Sequence, residues 1–173
     1  GDGAYELTFV AEDAVGKTTS LTRNIIIDTA QPDLSITAPV ADELVDTSSY
    51  TIRGQVTDSG GRGVTTLEYS QTGAFAGEEV SIPLSGLNWS VAGVDFTSGG
   101  EGAKTLYVRA TDGLNPFTEK NVSFYYDIAD PTLSETLIGV TDQQISSTAV
   151  ELGGTADDTF VLDKIWLRQF LDA

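Results

Sequence analysis

The sequence predicts an all-β protein made of tandem β-sandwich modules. Short segments with apolar residues at every second position recur along the chain, and clusters of Gly, Asp, Asn and Ser separate them. No segment has the apolar spacing of a helix. The chain also repeats itself with a period that matches one sandwich of roughly 100 residues.

The repeat is visible as a gapless match of residues 1–35 with residues 100–134, in which 12 positions are identical. A second match joins residues 42–58 to residues 142–158 and keeps the apolar positions. A gapless run of this length favours tandem duplication over the weak similarity that a shared fold leaves.

The period predicts three segments. Residues 1–32 are the C-terminal strands of a preceding repeat, residues 33–131 form one complete sandwich, and residues 132–173 are the N-terminal strands of a following repeat. The chain is then an excerpt of a longer array, or its partial modules are completed by other chains.

The predicted strands of the complete repeat alternate clearly. Their inward residues are Tyr50, Ile52, Gly54 and Val56 in "SYTIRGQV", Leu106, Val108 and Ala110 in "TLYVRAT", and Val122, Phe124 and Tyr126 in "NVSFYYD". Two more strands are predicted in "LEYSQ" and "NWSVAGVDF", and the proline of "EEVSIPL" marks a short edge strand.

Composition excludes several classes of function. The net charge of −17 disfavours binding to nucleic acids and to anionic membranes. No apolar stretch is long enough for membrane insertion, so the chain is predicted to be soluble. Without Cys or His there is no ordinary nucleophile–base pair and no ordinary zinc centre, and we expect no enzyme.

The strand-and-turn signatures "GDGAYELTFVAEDAVG", "NIIIDTAQPDLSITAP" and "YTIRGQVTD" resemble the tandem Ig-like repeats of large bacterial surface proteins and adhesins. The resemblance covers the whole chain. It implies Ig-like sandwiches, an extracellular or cell-surface location and a structural role. The loop that often reads Asp-x-Ala-Gly-Asn in that family reads Asp112-Gly-Leu-Asn115-Pro here, which departs from the pattern.

Carboxylates accumulate where the modules would meet. In an Ig-type sandwich the start of the first strand and two of the loops lie at the same end. The carboxylates predicted at the first junction are Asp28, Asp33, Asp58 and Asp112, and those at the second are Asp127, Asp130, Asp157 and Asp158.

Two interpretations of these aspartates remain open. Converging carboxylates repel unless a cation joins them, and Ca²⁺ takes six to eight oxygen ligands, so the eight residues are candidate calcium ligands. Calcium at the junctions also occurs in the adhesins that the repeats resemble. Alternatively, Asp is a good turn residue that caps nearby backbone N–H groups, with Pro32 and Pro131 ending the strands.

The aromatic residues also have two interpretations. Trp89 and Trp166 are predicted to lie in strands and in the core. Tyr107 and Tyr125 are predicted to point outward, where they either pair across strands or stack on a glycan.

The sequence as a whole predicts a spacer of stacked modules in a secreted or surface-anchored bacterial protein, whose partners are the neighbouring repeats. A module that binds a glycan or protein receptor, and a filament or sheath assembled by strand exchange, are the alternatives.

Overall fold

A computed structural model describes residues 1–138, 151–158, 162 and 164–166. These residues form β-strands joined by turns and loops, and they include no helix long and apolar enough to cross a bilayer. The strands are β1 (Gly3–Glu12), β2 (Thr18–Ile27), β3 (Asp33–Ala38), β4 (Leu44–Val45), β5 (Tyr50–Thr57), β6 (Thr66–Ser70), β7 (Val80–Ser81), β8 (Asn88–Val94), β9 (Gly102–Thr111), β10 (Thr118–Tyr126), β11 (Thr132–Ile138) and β12 (Glu151–Asp157).

Strands β3 to β10 form two sheets. One sheet has the order β3-β5-β8 and the other the order β4-β10-β9-β6-β7. All pairs are antiparallel except β4 with β10, which run parallel. The chain therefore crosses from one sheet to the other between β3 and β4, and the sheets enclose one core, as in a Greek-key sandwich.

The predicted alternation is confirmed in the central strands. In β5 the residues Ile52 and Val56 are buried, and in β9 Leu106 and Val108 are fully buried while their neighbours face outward. The predicted edge strand is also present, since β7 lies at the end of its sheet. Because side chains alternate across a strand, one face of each sheet supplies the core.

Trp89 of β8 lies in this core at 2% exposure, as predicted. Its ring lies over Gly54 of β5, where an added Cβ would overlap with the ring and with the carbonyl of Ser35. The corresponding prediction for Trp166 is wrong: this residue lies outside any strand and is 76% exposed. No second sheet among the described residues covers that part of the chain.

Two further strand pairs flank the sandwich, the β1–β2 hairpin and the antiparallel pair β11–β12, and each copies part of it. Strands β1 and β2 pair in the register of β9 and β10, with Gly3 opposite Ile27 where the sandwich has Gly102 opposite Tyr126. Strands β11 and β12 likewise pair in the register in which the first residues of β3 face the last residues of β5. The internal sequence repeat is thus matched by a repeat of strand pairing, while the predicted segment boundaries stay a prediction.

Candidate metal centre

Three carboxylates from separate segments meet where the first hairpin joins the sandwich. Asp28 follows β2, Asp58 follows β5 and Asp112 follows β9. One carboxylate oxygen from each residue can be chosen so that the three oxygens lie within 4.8 Å of one another. Each aspartate comes directly after the last residue of a strand, and the strand ends meet at one end of the sandwich.

Asp28 belongs to the first linker, which we define as residues 28–32 between β2 and β3. Its Oδ1 accepts a hydrogen bond from the N–H of Ala30 (3.2 Å), and its Oδ2 accepts one from the N–H of Arg62 (3.0 Å) in the β5–β6 loop. Gly60 of that loop packs directly on the carboxylate, since a Cβ there would overlap with it. The absence of a side chain at Gly60 therefore lets the loop reach Asp28.

Asp112 opens the β9–β10 loop and is fully buried. Its Oδ1 accepts hydrogen bonds from the N–H groups of Leu114 (2.6 Å) and Asn115 (2.7 Å), and its Oδ2 accepts one from Asn115 Nδ2 (2.8 Å). The hydrogen bonds from Asn115 are the main reason why the pKa of Asp112 lies below its usual value, and the charge of Arg62 lowers the pKa further. Asp112 is therefore ionised and held in place.

Asp58 is the member of the group with an unused oxygen. Its Oδ1 accepts a hydrogen bond from the N–H of Gly60 (2.8 Å), whereas its Oδ2 is buried and has no hydrogen-bond partner among the described residues. A buried acceptor without a donor is costly, and carboxylate oxygens that share a cation avoid this cost. Because Ca–O distances are about 2.3–2.6 Å, ligands of one calcium ion lie up to about 5 Å apart, which this group satisfies.

The second linker, residues 127–131 between β10 and β11, has a related but looser arrangement. Asp127 Oδ1 is buried and has no hydrogen-bond partner among the residues described. Burial raises the pKa of Asp127, and the charges of Asp158 and Glu101 raise it further. The structure therefore brings Asp127 into the field of two other acids.

The remaining predicted ligands lie outside these groups. Asp33 is exposed at the start of β3, opposite Thr57, and is not part of the three-carboxylate group. Asp130 and Asp157 are also exposed, and Asp157 Oδ1 accepts a hydrogen bond from the N–H of Asp158. Alternation explains Asp33: its neighbour Leu34 points into the core, so Asp33 points away from it.

Sequence reasoning missed one pair of acids that brace the linkers. Asp2 accepts hydrogen bonds from the N–H and Oγ1 of Thr29, and Glu101 accepts them from the N–H groups of Ile128 and Ala129. Asp2 and Glu101 occupy the same repeat position, as do Thr29 and Ile128. The signal was present as an acid between two glycines in both copies, "GDG" and "GEG".

The two tyrosines predicted to point outward do not form a joint platform. Tyr107 lies opposite Asn121 and Tyr125 opposite Ala103 in the β9–β10 pair, so they are not cross-strand neighbours. Tyr107 is half-buried and its ring covers Gly73, while Tyr125 is 38% exposed.

The paired sheets and their strand order define an Ig-like β-sandwich. No protein-family model matches the chain, and no curated protein matches it. Chains of solved structures do match. One of them, titled "Crystal structure of Dpr2 Ig1-Ig2 in complex with DIP-Theta Ig1-Ig3", is 18% identical, with 77% of this chain and 42% of that chain covered at a TM-score of 0.38.

Proposed function

We propose that the chain is a non-enzymatic structural segment of a tandem Ig-like array, and that calcium at the junctions stiffens it. The observation that carries this proposal is the group formed by Asp28, Asp58 and Asp112, which joins the end of one repeat unit to two loops of the next. A cation held there would bind three segments of the chain at once. Covalently, the preceding repeat unit is connected to these two loops only through the first linker.

The chemistry of the group favours a hard divalent cation. All three side chains offer carboxylate oxygens, and the chain has no Cys or His to supply softer ligands. The three carboxylates carry a total charge of −3, and a divalent cation of charge +2 would relieve the repulsion among them. Oxygens that already accept one N–H bond retain a lone pair for a metal. Backbone carbonyls or water would complete the coordination, and calcium tolerates such mixed shells better than magnesium does.

The first linker supports a stiff connection. It contains one proline and no glycine. The β5–β6 loop binds the side chain of Asp28, and the β9–β10 loop binds the linker backbone at Ala30. A semi-rigid linker of this kind suits a spacer that extends or presents another domain. We propose that this array belongs to a secreted or cell-surface bacterial protein, on the resemblance of its strand-and-turn signatures.

Neighbouring repeats are the proposed partners. The hairpin of β1 and β2 exposes Phe9 (59%) and Ile27 (41%), whereas the equivalent residues of the sandwich, Val108 and Tyr126, are buried. A sheet equivalent to β3-β5-β8 would cover this face. If another copy of the chain supplied that sheet, an assembly would survive dilution in mass measurements, and the strand-exchange filament would replace the spacer. A monomer would exclude that filament.

Thermal unfolding in calcium and in EGTA tests the cation. With extracellular affinities of about 10⁻⁴–10⁻³ M, about 10 mM calcium should stabilise the chain by about 1.4–2.7 kcal/mol. Asp58→Asn should remove this calcium dependence. Its new amide can donate to Asp28 or Asp112, so the midpoint in EGTA should be unchanged or higher.

Asp33→Asn is the matched control, because Asp33 is an exposed aspartate near the same linker and outside the group. It should keep the full calcium response. No shift of the wild-type midpoint in calcium would refute the metal site and leave the three aspartates as turn residues.

A further inference from the structure

The first linker is held against the sandwich by side chains of the β9–β10 turn. Asn115 Nδ2 donates to the carbonyl oxygens of Asp28 (3.2 Å) and Ala30 (3.0 Å). Thr118 Oγ1 donates to the carbonyl oxygen of Pro32 (2.7 Å). Three carbonyls of the linker backbone are therefore bound by two side chains of the sandwich.

The orientation of the Asn115 amide follows from its partners. Besides the two linker carbonyls, Nδ2 donates to Asp112 Oδ2 at 2.8 Å, so all three neighbours are acceptors. Only the NH₂ end of an amide satisfies such a set. Asn115 therefore bridges the linker to a carboxylate of the candidate metal centre as a donor.

The opposite side of the linker is fixed by the other loop. The N–H of Arg62 donates to Asp28 Oδ2, and Gly61 packs against Gly3 and Ile26 of the hairpin. All of these contacts are formed by protein groups alone. These contacts join the hairpin to the sandwich through protein groups.

We propose that Asn115 and Thr118 form a latch that sets the orientation of the β1–β2 hairpin on the sandwich without metal. Asn115 is then a positioning residue, which holds Asp112 and the linker together through its NH₂ group and does not ligate the ion. Only the statement about the ion rests on the proposed function. The equivalent of Asn115 in the first repeat copy is Gly16, which has no donor side chain, so the latch differs between copies.

The orientation can be measured by the distance between two spin labels in the full chain. The chain contains no Cys, so Ser20→Cys on β2 and Ser48→Cys before β5 would carry the labels, and both positions are exposed. In EGTA the latch predicts a narrow distance distribution. Asn115→Ala should broaden it, with about a fivefold rise in the undocked population for each hydrogen bond lost. Thr118→Val, which removes only the hydroxyl, should broaden it less.

Asn115→Asp tests whether the side chain at position 115 has to donate hydrogen bonds. The new carboxylate cannot donate to the carbonyls and repels Asp112, so the latch predicts broadening in EGTA. Asn121→Ala, an exposed change on β10, is the control and should leave the distribution narrow.

A narrow distribution for Asn115→Ala in EGTA would overturn the latch. A narrow distribution for Asn115→Asp in EGTA would overturn the donor role of the Asn115 amide. If neither the wild type nor the variants bind calcium, the proposed metal site is refuted. The distance distributions in EGTA still test the latch in that case.

Discussion

The two linkers of the chain use the same repeat positions but surround their strand-end aspartates differently. At the first linker Asp28 accepts two backbone N–H bonds, and neighbouring Asp112 is satisfied by three donors. At the second linker Asp127 is half-buried near Asp158 and Glu101, and its buried Oδ1 lacks a hydrogen-bond partner among the described residues. The pKa of Asp112 is therefore lowered, whereas that of Asp127 is raised. An aspartate after a strand has no fixed role, because donors and acids nearby decide whether its charge stabilises the fold.

The largest effect should come from removing the satisfied carboxylate. Asp112→Ala leaves the part-buried N–H groups of Leu114 and Asn115 without their acceptor and empties a fully buried position, so the melting midpoint in EGTA should fall by about 10 °C. Asp127→Asn should instead leave the midpoint unchanged or raise it, because it removes a desolvated charge beside two acids. If calorimetry showed the same fall in the melting midpoint for both variants, the proposed contrast between the two linkers would be contradicted.

A smaller effect is expected from Gly60→Ala. The added Cβ would overlap with the carboxylate of Asp28, which can swing away because it is the end of a side chain. Calcium affinity at the first linker should fall about tenfold, which corresponds to about 1.4 kcal/mol. The midpoint in EGTA should stay within about 3 °C of the wild type.

Gly1→Ala is the control for Gly60→Ala, since a Cβ at Gly1 meets nothing within 4 Å. Calorimetric titration of both variants gives the comparison. An unchanged calcium affinity in Gly60→Ala would show that the carboxylate of Asp28 is not a ligand.

The linker braces should have a still smaller effect. Asp2→Asn weakens the hydrogen bonds to Thr29, and amide exchange of the Thr29 N–H should accelerate about fivefold, as expected for one ordinary hydrogen bond. Glu101→Gln should accelerate exchange at Ile128 less, because it also relieves the repulsion of Asp127. Asp2 and Glu101 should differ in this way only if the charge of Glu101 acts on Asp127, so equal acceleration would argue against that interaction.

The smallest effect is the difference in acid stability. The lowered pKa of Asp112 means that its stabilisation is full above the pKa of about 3.9 of an unfolded Asp and is lost as the pH falls through the folded pKa. The raised pKa of Asp127 has the opposite sign, since protonation on acidification relieves its buried charge. Unfolding free energies measured from pH 7 to pH 3 should therefore fall less steeply in Asp112→Ala. In Asp127→Asn the unfolding free energy should fall more steeply with acidification than in the wild type, because the favourable protonation of Asp127 is absent.

The sequence predicted the sandwich well because the outward and inward faces of β5, β9 and β10 differ sharply in polarity. It also predicted the meeting of Asp28, Asp58 and Asp112, because each aspartate directly follows a strand. Strand ends fix where a residue lies along the sandwich but not where its side chain points.

Asp33 shows the limit of that reasoning. It lies near the same end of the sandwich, yet strand alternation turns it away from the group. Asp2, Gly60 and Asn115 were missed because their roles depend on contacts across the junction, made by residues far apart in the chain. Local turn signals, such as glycine and asparagine, gave no sign of a partner in another segment.

We propose that a calcium ion lies between Asp28, Asp58 and Asp112. Backbone and side-chain amide NMR shifts, followed through a calcium titration of the chelator-treated chain, test this ion most directly. A bound ion should give saturable shifts at Gly60, Arg62, Leu114 and the Asn115 side chain, with none in Asp58→Asn. Non-saturating shifts spread over exposed acidic residues, or none at millimolar calcium, would contradict it.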